Sequence, residues 1–64
     1  MNTQDEIYLF LVNYIYENGF VPSIREIAGG CFVNVATVIR YLDILEANGR
    51  IERTAGKARS IRIV

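Results

Sequence analysis

The chain has 64 residues, of which 52% are apolar and 22% charged, and its formal net charge is zero. This length allows one small domain, with little room for both a core and an enclosed catalytic cleft. The apolar content excludes intrinsic disorder, and the single cysteine excludes an internal disulfide. The N-terminus is acidic, unlike a signal peptide, and no apolar run approaches the roughly 20 residues that a bilayer requires. We therefore expect a soluble cytoplasmic domain without membrane contact.

The first predicted element is a helix that begins at Thr3 and ends at Gly19. Thr3 and Glu6 have the spacing of a capping box, and apolar residues from Ile7 onward recur at helical spacing. Gly19 tolerates the left-handed conformation that ends a helix. The residues before Pro22 are then predicted to be extended, because proline disfavours a helical residue in front of it.

The second and third predicted helices follow closely on one another. Ser23 and Glu26 form a second capping box, and the short helix that they open is predicted to stop at Gly29-Gly30. Residues 31–33 serve as a connector, and Asn34 is expected to cap the third helix. The third helix ends at Asn48-Gly49.

The last predicted element is a β-hairpin, because the apolar period changes from 3.6 to 2 after Gly49. Ile51 alternates with charged neighbours in one run, Ile61 and Ile63 alternate in the other, and the turn between them is centred on Gly56. The predicted fold class is mainly α with a small β-hairpin, in one domain over residues 1–64. Its architecture is a winged helix-turn-helix, with three helices followed by a two-stranded antiparallel wing.

The inward-facing apolar residues of these elements are expected to form one core. Val35 is assigned to the inward stripe of the third helix together with Val38 and Leu42. The predicted core consists of Ile7, Leu11, Ile15, Ile24, Ile27, Phe32, Val38, Leu42, Leu45, Ile51 and Ile61.

The zero net charge hides an asymmetry along the chain. Residues 1–48 carry two basic and six acidic side chains, a net charge of −4, and residues 49–64 carry five basic and one acidic, a net charge of +4. A basic tail on an acidic body favours an anionic partner that meets the tail. A solvated strand pair whose basic edges prevent edge-to-edge pairing explains the same charges equally well.

The inventory of catalytic groups is thin. The chain has no histidine, and Cys31 alone cannot build a thiolate metal site. Cys31 lies beside Phe32 and Val33, where a free cysteine is usually a small core residue. Gly29-Gly30 lacks the flanking strand and Lys-Ser/Thr of a phosphate-binding loop. We therefore expect no enzyme, no metal, no cofactor and no small-molecule substrate.

The second and third helices have the pattern of a helix-turn-helix unit, which lays its second helix in the DNA major groove. The solvent face of this helix is expected to carry Ala36, Thr37, Arg40 and Asp43. Thr37 can contact a thymine methyl group, and Arg40 can bind guanine or a phosphate. An ordinary amphipathic helix with a polar outer face is the alternative. Lys57 and Arg59 at the wing tip favour DNA, because a basic wing reaches phosphates or the minor groove.

Three stretches together resemble a known family: YIYENGFVPSIREIA (residues 14–28), ATVIRYLDILEANG (36–49) and the wing from IER to GKARSIR (51–62). They are similar to the N-terminal DNA-binding domain of the LexA repressors. The resemblance implies a transcriptional repressor domain whose partner is double-stranded DNA, bound at palindromic operators by a homodimer. It places Ser23 and Arg25 near phosphates and Lys57 and Arg59 on the wing. It assigns base reading to Asn34, Ala36, Thr37, Ile39 and Arg40.

The sequence departs from the family pattern in three ways. The turn before Asn34 is one residue shorter than in the commonest members and lacks their serines, which leaves Asn34 as the cap. The base-reading residues differ, so the family's operator sequence does not carry over. The chain stops at Val64, before the family's second domain with its serine–lysine self-cleavage dyad and dimer surface. We therefore expect no self-cleavage. The chain is expected to be either a domain cut from a longer protein or a small regulator of phage or plasmid type, acting at the bacterial nucleoid.

A second function remains open at this point. The winged-helix fold also serves as a protein-interaction module without DNA binding. The zero net charge and the acidic body favour that module, whereas the basic tail and the Thr37/Arg40 face favour DNA.

Overall fold

Helices precede a small sheet in this computed structural model, which describes residues 2–54 and 60–64. The strands pair antiparallel, with Ile51 opposite Ile63 and Arg53 opposite Ile61. This order confirms the predicted fold class. The expected turn at Gly56, with Lys57 and Arg59, lies outside the described residues. The elements are α1 (Thr3–Asn18), α2 (Ile24–Cys31), α3 (Val35–Ala47), β1 (Ile51–Arg53) and β2 (Ile61–Ile63).

The cap of α1 differs from the prediction by one residue. Asn2 is the N-cap, and its side-chain oxygen accepts a hydrogen bond from the Asp5 N–H at 2.9 Å. The predicted capping box of Thr3 and Glu6 is therefore wrong. Asparagine caps at least as well as threonine, and this register still places two carboxylates in the first turn, where the helix dipole favours them. The predicted end is confirmed, since Gly19 adopts φ 78° and its N–H donates to the Ile15 carbonyl.

The capping box of α2 is confirmed, but the predicted end of this helix is wrong. The Glu26 N–H donates to Ser23 Oγ at 3.1 Å, and the Ser23 N–H donates to Glu26 Oε1 at 2.8 Å. The helix then continues through both glycines to Cys31. It ends at Phe32, which has φ 58° and donates its N–H to the Ala28 carbonyl. A glycine costs only about 1 kcal/mol inside a helix, too little to stop one that packs on a core.

The two glycines of α2 have different surroundings, which predicts opposite effects of substitution. A Cβ on Gly30 would come within 2.1 Å of the Phe10 ring, whereas a Cβ on Gly29 would meet nothing within 4 Å. Gly29→Ala should stabilise the fold by about 0.5–1 kcal/mol through helix propensity. Gly30→Ala should destabilise it by about 1–3 kcal/mol, because the Phe10 ring must move. Urea unfolding of the two variants measures both effects, and equal midpoints would contradict this packing.

One apolar core joins the three helices to β1. Most of the predicted core is confirmed. The buried core also contains Ala28, which helical spacing places on the inward face of α2 beside Ile27. Ile15 and Ile61 are half-buried, and Ile61 packs against the core from β2. The buried apolar residues are Ile7, Leu11, Ile27, Ala28, Val38, Leu42, Leu45 and Ile51.

Three residues expected to face inward are exposed instead. Ile24 and Val35 are the first residues of α2 and α3. A helical side chain leans toward the N-terminus, so the first residue projects past the packed part of its helix. Phe32 is 94% exposed. Its left-handed backbone conformation reverses the chain and is unfavourable for a bulky side chain.

Arg50 joins the first helix to the last strands. Its guanidinium donates to Asp5 Oδ1 at 3.1 Å and lies 3.9 Å from the centroid of the Tyr8 ring. Its backbone carbonyl accepts a hydrogen bond from the Val64 N–H at 3.2 Å. Residues near both ends of the described chain therefore meet at Arg50.

Cys31 packs against the core, as predicted, and is half-buried. Burial is the main cause that raises the pKa of the Cys31 thiol above its ordinary value of 9.0, and the nearby charge of Glu6 raises it further. Since the unfolded thiol loses its proton first, the Cys31 contribution to stability should fall as the pH rises above about 9. At pH 8 we expect iodoacetamide to alkylate the folded chain more slowly than the same chain in urea. Equal rates would contradict a protected thiol.

Candidate nucleic-acid interface

Helices α2 and α3 form a compact unit. Three residues, 32–34, separate them, and the second helix is bent by 104° from the first. Helix-turn-helix units have a turn of about three or four residues and an angle of about 90–120°. The predicted connector of residues 31–33 begins one residue too early, because Gly29, Gly30 and Cys31 all belong to α2. The predicted helix-turn-helix arrangement itself is confirmed.

The start of α3 is fixed by Asn34, as predicted. Its side-chain oxygen accepts from the Thr37 N–H at 2.8 Å, and its carbonyl accepts from the Val38 N–H at 3.2 Å. The side-chain oxygen of Asn34 is therefore occupied by the cap. A contact from Asn34 to a base edge can use the donors of its Nδ2 amide, or the second lone pair of its oxygen.

The exposed surface of the first half of α3, before Asp43, is apolar except for one cation. Ala36, Ile39 and Arg40 are exposed, as predicted, while Thr37 is half-buried at the edge of this surface. The Arg40 guanidinium lies 5.3 Å from the centroid of the Tyr41 ring. Within residues 2–54 and 60–64, Arg40 forms no ion pair. Its charge therefore stays available to an anionic ligand.

The first turn of α2 presents a second polar surface. Arg25 is exposed there and, like Arg40, forms no ion pair with the described part of the chain. Ser23 uses its hydroxyl oxygen as the cap acceptor, and its O–H hydrogen can still donate to a ligand. Glu26 accepts a hydrogen bond from the Tyr14 hydroxyl at 2.8 Å, which fixes α2 against α1.

Three of the basic residues in the tail, residues 49–64, form ion pairs within the molecule. Arg50 pairs with Asp5, Arg53 with Asp43 and Glu46, and Arg62 with Glu52 across the strand pair. Arg50 and Arg53 thus neutralise carboxylates of the acidic body, whereas Arg62 pairs with the acidic residue of the tail itself. Lys57 and Arg59, the two predicted wing contacts, lie outside the described residues.

Arg53 attaches β1 to the second half of α3. Its Nε and Nη2 donate to Glu46 Oε1 at 3.1 and 2.8 Å, and Nη2 also donates to Asp43. The hydrogen bond to Asp43, and to a smaller extent the one to Glu46, raises the pKa of Arg53 above its ordinary value. Arg53 therefore remains a cation at every working pH. The carboxylates of the second half of α3 are thus bound by β1, whereas Arg53 makes no ion pair with the first half.

Other kinds of site have little support in the described ranges. Those residues contain no group of three or more histidine, cysteine, aspartate or glutamate side chains that could hold a metal ion. No single described helix is long and apolar enough to cross a membrane. Helices α2 and α3 together reach such a length and composition, but only as a sharply bent pair.

The bent helix pair, its short turn and the antiparallel strands define a winged helix-turn-helix domain. Residues 1–60 match the family model described as the LexA DNA binding domain. The chain belongs to this family, which confirms the resemblance found in its sequence. Membership supports sequence-specific DNA binding and transcriptional repression.

Known relatives carry the name LexA repressor. The Clostridium kluyveri protein is 39% identical over 64 residues, which cover 98% of this chain and 32% of the relative. The Thermotoga maritima protein is 40% identical over 60 residues, covering 94% of this chain and 30% of the relative. LexA repressor 1 of Geobacter sulfurreducens is 34% identical over 62 residues, or 95% and 31% of the two chains. The chain thus spans about a third of the length of these relatives.

Proposed function

We propose that this chain binds double-stranded DNA sequence-specifically and acts as a transcriptional repressor in the bacterial cytoplasm, in a binding rather than a catalytic role. The observation that carries the proposal is the division of α3. Its second half is held to β1 by Arg53, and its first half is exposed with Arg40 unpaired among the described residues. A recognition helix enters the major groove with its N-terminal turns. The proposed base-reading residues are Asn34, Ala36, Thr37, Ile39 and Arg40.

Phosphate contacts are proposed on both sides of this helix. Ser23 and Arg25 stand at the N-terminus of α2, where backbone N–H groups and the helix dipole favour a phosphate. Lys57 and Arg59 would contact the phosphate backbone or the minor groove from the wing. These contacts orient the domain on DNA and add affinity that does not depend on sequence.

We propose further that a homodimer binds a palindromic operator. Helix-turn-helix proteins commonly bind as dimers to half-sites about one helical turn apart, because operator symmetry mirrors protein symmetry. Two inverted copies of one short motif, selected from a random duplex pool, would support this arrangement. Selection of a single unrepeated motif would contradict it.

A salt titration tests the wing contacts. Each phosphate contact that is lost should reduce the slope of log affinity against log salt by about 0.9. Lys57→Ala/Arg59→Ala should therefore reduce the slope and weaken specific and random DNA alike. The matched control is Glu52→Ala/Arg62→Ala, which removes an ion pair from the strands without a change in net charge. An unaltered slope in the first variant would remove the wing from the mechanism.

The protein-interaction module is the second candidate function. The zero net charge and the internal pairing of Arg50, Arg53 and Arg62 favour it. Such a module would have negligible affinity for duplex DNA at physiological salt before any substitution. Site selection with the unchanged chain therefore separates the two functions.

A further inference from the structure

The first half of α3 exposes large apolar side chains where a DNA-reading helix could carry polar ones. Val35 is 40% exposed and Ile39 is 44% exposed. The two residues are four positions apart, so they are neighbours on one side of the helix. Arg40 is the one charged residue of α3 before Asp43. Helical spacing assigns Val35 to the inward stripe of α3, so sequence patterning alone does not indicate this exposed pair.

The apolar pair of Val35 and Ile39 lies on the first half of α3, before the two carboxylates that Arg53 of β1 binds. Farther along the helix, Asp43 and Glu46 are bound by Arg53. The pair itself is left outside the core that the described residues form. The structure thus combines an acidic, neutralised second half of α3 with an apolar, exposed first half.

The major groove offers one apolar group on the base edges, the C5-methyl group of thymine. Aliphatic side chains contact this methyl group, whereas the other base-edge groups are hydrogen-bond donors and acceptors. Val35 and Ile39 have neither donors nor acceptors in their side chains. Packed against a hydrogen-bond donor or acceptor of another base, they would bury a polar group without a hydrogen bond, which is unfavourable.

On these grounds we infer that Val35 and Ile39 read thymine methyl groups, so that the preferred DNA carries thymines opposite both side chains. Val35 thereby becomes a specificity-determining residue in addition to those proposed above. The inference rests on the proposed DNA-binding function. In this assignment Arg40 recognises a base with its charged guanidinium group, and Val35 and Ile39 recognise thymine methyl groups.

The test uses deoxyuridine, which keeps the base pairing of thymidine and lacks only the methyl group. A preferred duplex is first selected from a random pool, and each of its thymines is then replaced in turn. Replacement opposite the apolar pair should weaken binding roughly fourfold, equivalent to the ~0.8 kcal/mol for burial of one methyl-sized group. Val35→Ala and Ile39→Ala should each abolish the sensitivity at one of these positions.

Leu9→Ala is the matched control, because Leu9 is 41% exposed and lies on α1, outside the helix-turn-helix unit. This variant should keep the full sensitivity to deoxyuridine. Circular dichroism verifies folding, and the deoxyuridine scan with the unchanged chain tests the inference even if one variant fails to fold. A selected site that is insensitive to deoxyuridine throughout, or whose sensitivity survives in both alanine variants, overturns the inference. Failure to select any site overturns the proposed function instead.

Discussion

Leu42→Ala should lower the free energy of unfolding by about 2–5 kcal/mol. Leu42 is 1% exposed and belongs to the core cluster that joins all three helices to β1. The substitution removes buried apolar contacts and leaves a cavity that the surrounding side chains fill only partly. Small domains have total stabilities of only about 0.05–0.15 kcal/mol per residue, so this loss removes a large share.

Urea unfolding followed by circular dichroism measures the effect of Leu42→Ala. Leu9→Ala deletes the same atoms from a side chain that is already 41% exposed, so it should cost much less. If the two variants unfolded at the same midpoint, α3 would have to present another face to the core.

Arg40→Ala should weaken binding to the preferred DNA by about 1–3 kcal/mol and relax specificity at one base pair. The reason is the position of Arg40 on the exposed surface of α3, with no carboxylate partner in the described ranges. An arginine binds the two acceptors of guanine with a planar fork that lysine lacks. Arg40→Lys should therefore lose most of the specificity while it keeps the charge.

Affinities of these two variants for the preferred duplex and for random duplexes separate the roles of Arg40. A base contact predicts a loss on the preferred duplex alone. Equal losses on both duplexes in Arg40→Ala, with recovery in Arg40→Lys, would make Arg40 a phosphate contact. Unchanged affinity in Arg40→Ala would mean that this surface of α3 does not enter the groove.

The features that the sequence predicted correctly are mostly local. The capping box joins Ser23 and Glu26, three positions apart, and the cap of α3 joins Asn34 and Thr37 at the same separation. Gly19 could be recognised because a left-handed residue at a helix end favours glycine. The strands followed from alternation, and the exposure of Ala36 and Arg40 followed from helical spacing.

The features that escaped prediction depend on residues far apart in the chain. The packing of Phe10 against Gly30 shows that α2 uses its glycine for a close approach rather than a stop. The pairing of Arg50 with Asp5 spans 45 residues, and no local pattern indicates it. The spacing of apolar residues predicts Phe32 in the core, whereas its left-handed conformation turns it outward. Exposure of Ala36 and Arg40 could be predicted, but the division of α3 by Arg53 required the tertiary structure.

The junction at Arg50 sets an order for folding. Contacts within each helix, and between helices that follow one another, close short loops at small entropic cost and should form early. The Asp5–Arg50 pair and the Val64–Arg50 hydrogen bond need both ends of the described chain in place. During synthesis on the ribosome, the helix-turn-helix unit emerges before the strands that contact α1. We therefore expect completion of the strand pair, with its contacts to α1, to be the late step of folding.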